Sequence, residues 1–76
     1  MQDTTQGRIE SLKRLKMSVN GNPRFKIFLT DGRVLQTQSD GGINYDIENP
    51  KFRDVQIEFA LTRAGRVWNA TPVPEA

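Results

Sequence analysis

A chain of 76 residues, 36% of them hydrophobic, points to a single domain near the lower size at which a core holds a fold unaided. With neither Cys nor His, it lacks a disulfide framework, the thiolate and imidazole ligands of zinc sites, and the parts for Ser-His-Asp or Cys-His catalysis. No stretch approaches the roughly 20 apolar residues of a membrane span, and residues 1–7 contain no signal-peptide core, so an intracellular protein without membrane association is expected.

The net charge of +2 is small but unevenly placed. From Arg8 to Arg33 seven basic residues face only Glu10 and Asp31, a local +5. From Asp40 to Glu58 five acidic residues face Lys51 and Arg53, a local −3. One electropositive side is the expectation.

Residues 1–7 carry no apolar anchor and read as a flexible N-terminal segment, ahead of a single β-barrel domain over 8–71. Residues 8–19 contain good helix formers. The alternation of Leu15, Met17 and Val19 favours a long strand instead, with a bulge near Lys13 returning Leu12 to the same face. After the Asn20-Gly21-Asn22-Pro23 turn, Arg24–Thr30 and Arg33–Ser39 predict a hairpin closed by a two-residue Asp31-Gly32 type I′ turn. That register sets Leu29 opposite Val34, Ile27 opposite Gln36 and Phe25 opposite Gln38. Phe28 with Leu35 and Lys26 with Thr37 take the other face.

Ser39-Asp40-Gly41-Gly42 is a turn, and Ile43–Asn49 a short helical turn ended by Pro50. Val55–Leu61 and Arg66–Ala70 form a second hairpin through Arg63-Ala64-Gly65. Val55, Ile57, Phe59, Leu61 and Val67 face inward, while Glu58, Ala60, Trp68 and Ala70 share the opposite face. Pro72 and Pro74 mark 72–76 as a flexible C-terminal tail. The order predicts a mainly β fold: a small five-stranded antiparallel barrel, OB-like or SH3-like, with one short helical turn between strands three and four.

Ser18-Val19-Asn20-Gly21-Asn22-Pro23-Arg24-Phe25, the Asp31-Gly32 turn, Thr37-Gln38-Ser39-Asp40 and Leu61-Thr62-Arg63-Ala64-Gly65-Arg66 together resemble small uncharacterised proteins encoded by actinobacterial phages. The resemblance covers roughly residues 8–67. It implies expression in the cytoplasm of a host bacterial cell and assigns no activity, cofactor or site residue.

Asp40, Asn44, Asp46 and Glu48 do not fit an EF-hand spacing and read as a solvated turn, so neither a metal nor a cofactor is expected. No glycine-rich phosphate loop ends in Lys-Ser/Thr, and no enzyme is expected. If Met17 faces Phe25 and Leu15 faces Ile27, then Lys16 lies opposite Lys26, with Arg14 adjoining Phe28 and Ser18 adjoining Arg24. Like charges facing each other are relieved by an anion, and an aromatic among them offers a stacking platform. Arg14, Lys16, Arg24, Lys26 and Phe28 are thus the candidate nucleic-acid-binding residues. The alternative is a module docking on a host or phage protein through Leu35 and Trp68 or an open strand edge, or self-association into a homo-oligomer.

Overall fold

Three loops of the structure, a computed structural model that describes residues 3–74, close in one way. The first residue's amide donates to the carbonyl four residues on: Ser18 to Asn22 at 2.9 Å, Leu29 to Arg33 at 2.9 Å and Thr62 to Arg66 at 2.7 Å. A glycine in the fourth place donates back to the first carbonyl at 2.9, 3.1 and 2.9 Å. Gly21, Gly32 and Gly65 have φ of 81°, 94° and 81°, the left-handed conformation that a residue without Cβ adopts cheaply. Each loop is the three-residue hairpin connection with a glycine bulge.

Six strands result among the described residues: β1 (Asp3–Gly7), β2 (Ile9–Arg14), β3 (Phe25–Leu29), β4 (Val34–Gln36), β5 (Ile57–Leu61) and β6 (Val67–Pro72). They make two antiparallel three-stranded sheets, ordered β1-β5-β6 and β2-β3-β4. The expected mainly β class stands. The five-stranded barrel is corrected to six strands without a closed barrel. Only Arg8 separates β1 from β2, so one segment serves both sheets, and a parallel bridge between Thr37 and Val67 links the end of β4 to the start of β6.

Residues 3–7, expected to be a flexible segment, form β1 and pair with β5 from Asp3–Leu61 to Gly7–Ile57. Arg33 fastens β1 across the sheets, donating from Nη1 to Thr5 Oγ1 at 2.6 Å and from Nη2 to the Gln6 carbonyl at 2.5 Å. Of the expected tail, Pro72 ends β6 and the Val73 amide donates to the Gln56 carbonyl at 2.8 Å. The expectations for residues 1, 2, 75 and 76 lie outside the described residues.

The helical turn is two short 3-10 helices, η1 (Gly42–Tyr45) and η2 (Pro50–Phe52). Pro50 begins the second instead of ending the first. Its missing amide is harmless at a helix's first position, and the Asn49 side chain accepts from the Lys51 amide at 2.9 Å. Irregular as it is, this connection supplies Ile43, Ile47 and Phe52 to the core, with Phe25, Ile27 and Leu29 of β3, Ile57 and Phe59 of β5, and Val67 and Ala70 of β6. Val55 and Leu61, expected inside, are partly buried against that cluster.

Two registers differ from expectation. Because the 29–33 loop holds three residues, Lys26 faces Gln36, Ile27 faces Leu35 and Phe28 faces Val34. A slip of one residue turns every β4 side chain over. Leu35 therefore packs against the core, while Val34, expected inside, is 49% exposed. Asp31 lacks the positive φ that a type I′ turn demands of both central residues. In the second hairpin an irregularity at Ala60/Leu61 leaves Trp68 unmatched and puts Asn69 opposite Ala60. Ala70 then faces Phe59 and is buried, and Trp68 is half-buried. The expected placing of Ala70 on one face with Ala60 is thereby corrected.

Candidate nucleic-acid interface

β2 exists as a strand because Ile9 and Leu12 need the same face. Three apart, they would point to opposite faces of a regular strand; the register shift between Ile9 and Ser11 makes Glu10 the extra residue and turns both inward. Ile9 then faces Leu29 and Leu12 faces Ile27, both packed on the core. The bulge was the right device at the wrong residue: near Glu10, not Lys13.

This anchoring moves the β2–β3 register by three residues from the expected one. Lys13, not Lys16, faces Lys26, and Ser11, not Arg14, faces Phe28. Leu15, not Ser18, donates its amide to the Arg24 carbonyl, at 2.9 Å. Met17, expected opposite Phe25, is 60% exposed. Ile9 and Leu12, beside Leu29 and Ile27, pack on the core in place of the expected Leu15 and Met17.

The five candidates therefore separate. Lys26 and Phe28 share the outer face of β3, in rows Lys13–Lys26–Gln36 and Ser11–Phe28–Val34. Both are half-buried, and Lys13 and Val34 are exposed. Arg14 faces Phe25 instead, its guanidinium carbon 5.7 Å from the ring centroid at the margin of the core. Lys16 is exposed beyond the strand, and Arg24 Nη1 donates to its carbonyl at 3.3 Å. Arg24 is half-buried, and its Nε is enclosed without a hydrogen-bond partner among the described residues. Of the candidate partner anchors, Leu35 is on the core side, opposite Ile27, and Trp68 lies at the β6 irregularity. Lys13 was not among the candidates because its place opposite Lys26 depends on a bulge that no residue type in 8–14 marks.

Beyond the sheet, the 18–22 loop is held by Asp40. Its carboxylate accepts from Ser18 Oγ at 2.5 Å, Asn22 Nδ2 at 2.7 Å and Asn20 Nδ2 at 2.9 Å. These donors, Ser18 foremost, hold the Asp40 carboxyl below the usual carboxylate range. The Tyr45 hydroxyl donates to Asn22 Oδ1, leaving its ring 69% exposed beside this network. Asp40 sits at φ 62°, a conformation aspartate tolerates better than most residues. Asp46 instead pairs with Lys51 at 2.8 Å, and Asn44 is buried with Nδ2 on the Gln38 carbonyl at 2.8 Å. Asp40, Asn44 and Asp46 thus have separate duties.

No family model, curated protein or solved structure matches this chain. Among the described residues, no helix is long and apolar enough to cross a membrane.

Proposed function

We propose that the protein is a non-enzymatic, nucleic-acid-binding β domain that takes a single strand across the outer face of β2, β3 and β4. The observation that carries this reading is the direct apposition of Lys13 and Lys26 beside the half-buried Phe28. Neither lysine has an ion-pair partner among the described residues, and their mutual repulsion is relieved by a phosphate between them. Phe28 next to exposed Val34 supplies the apolar surface on which a base stacks.

An OB-like order of strands is part of the proposal. Support comes from the bent β1–β2 segment shared by both sheets and from the parallel Thr37–Val67 bridge. In OB domains the second and third strands form the ligand surface, with the loop after the first strand alongside; here these are β3, β4 and the loop braced by Asp40. A phage origin within a bacterial host also belongs to the proposal. Two of the segments that suggested it, Ser18–Asn22 and Thr37–Asp40, meet at the Asp40 carboxylate.

The test is titration of labelled single-stranded oligonucleotides at two salt concentrations, for the parent and the Lys13→Ala/Lys26→Ala double variant. Loss of two phosphate contacts lowers the slope of log K against log salt by about 1.4. Lys16→Ala, away from the face, leaves it nearly unchanged. A parent that binds no oligonucleotide, or a double variant with the parent's slope, refutes the proposal.

A further inference from the structure

The two sheets part where β5 begins. β1–β5 pairing stops at Gly7–Ile57, and the chain leading into β5 turns away at Asp54, which has φ 56°. The Asp54 carbonyl accepts from Arg8 Nη1 at 2.7 Å, which ties this wall to the β1–β2 junction. Beyond that point β2 has β3 on one side and, among the described residues, no strand on the other. Because the Leu15 amide is directed to β3, the alternation of an antiparallel ladder directs those of Lys13 and Ser11 there too. The amides and carbonyls of Leu12 and Arg14 therefore point to the open edge. The comparable edge of β1 is covered by Arg33, which takes the Gln6 carbonyl.

Residues 9–12 of β2 line a groove of about 330 Å³ against residues 47–54, and the open edge runs on past it to Arg14. Its floor is apolar: Ile47 and Phe52 are fully buried, and Leu12 is half-buried. Its rim carries the exposed Glu10, Glu48 and Asp54 against the Arg53 guanidinium, with the Arg8 guanidinium beside them on the Asp54 carbonyl. An unpaired strand edge, an apolar floor and an acidic rim stand together on the side of the sheet away from β4.

We propose that this groove binds an extended peptide segment of a partner protein by strand addition to β2. The segment places an apolar side chain over Leu12, Ile47 and Phe52 and a lysine or arginine, two residues away on the same face, at the acidic rim. Ladder bonds to Leu12 and Arg14 supply sequence-independent affinity, and the two pockets supply selectivity. This surface is separate from the lysine face of β3 and carries the opposite charge.

The probe is the capped hexapeptide Thr-Val-Thr-Arg-Thr-Val, added to the full chain and followed by amide hydrogen exchange and chemical-shift changes. Exchange at the Leu12 and Arg14 amides should slow at least about threefold, the protection that about 70% occupancy gives to an amide closed in the complex. The peptide with Glu in place of Arg, and one N-methylated on the residues that would face Leu12 and Arg14, should give no protection. Glu10→Gln/Glu48→Gln should weaken binding of the parent peptide about fivefold without altering oligonucleotide binding. Binding that leaves Leu12 and Arg14 exchanging at the free rate overturns the proposal, as does equal binding of the Glu or N-methylated peptide. Protection that rises with protein concentration alone assigns the edge to a second copy and overturns it too.

Discussion

The β3–β4 and β5–β6 hairpins are closed by the same three-residue loop, yet their strands were unequally legible. In β5, Ile57, Phe59 and Leu61 alternate strictly with Glu58 and Ala60, so the inward face is set by β5 itself whatever the loop does. In β4, Val34 and Leu35 are adjacent and both apolar, so the pattern does not choose a face and the residue count of the loop chooses it. A periodic strand protects a register reading from an error in the turn; a short apolar pair passes the error on to every side chain.

The sharpest way to break that comparison is to truncate one aromatic in each hairpin. Phe59→Ala empties a fully buried site and should lower unfolding stability by about 3–5 kcal/mol, a large share of what so small a domain possesses. Phe28→Ala, on the outer face, should cost about 1 kcal/mol, in keeping with partial burial. Denaturant unfolding of both variants gives the ranking, and similar losses would return Phe28 to a second core and remove the stacking platform from the proposed interface.

Within β4 the one-residue register makes a finer prediction. Leu35→Ala should destabilise by about 2 kcal/mol, since the side chain packs on the core; Val34→Ala should stay within about 0.5 kcal/mol. Urea midpoints measured side by side decide it. The reverse order would restore the two-residue turn and its register.

The smallest effect sharpens the comparison at the turns themselves. Asp31 accepts from the Arg33 amide at 3.0 Å and from its Nε at 2.7 Å; these bonds, the amide first, hold its carboxyl below the usual range. Ala64 takes the corresponding place in the β5–β6 loop and has no charge to lose. A carboxyl depressed in the folded state stabilises above its unfolded value near 3.8 and loses that contribution as pH falls through the folded value. Amide exchange followed from neutral pH to about pH 2.5 should show the Arg33 amide opening with acid, after correction for intrinsic rates, and the Arg66 amide unchanged. Asp40, held by Ser18, Asn22 and Asn20, predicts the same acid loosening for the 18–22 loop. Equal acid responses at Arg33 and Arg66 would contradict the assignment.

The amino-acid sequence by itself determined the β class, the two hairpins, their glycines and the inward set Phe25, Ile27, Leu29, Ile57, Phe59 and Val67, because alternation and turn chemistry are local properties. Tertiary structure decided the rest. Ile43, Ile47 and Phe52 enter the core from a segment with no strand or α-helical period, so only contact with the sheets shows their burial. Glu10 is the bulge because Ile9 and Leu12 must both face the core beside β3, a demand made by a strand sixteen residues away in the Ile9–Phe25 separation. That one demand decides which lysine faces Lys26. Of the candidate interface, Lys26 and Phe28 were legible within their own strand, whereas Lys13 in place of Lys16 follows only from how the partner strand is packed.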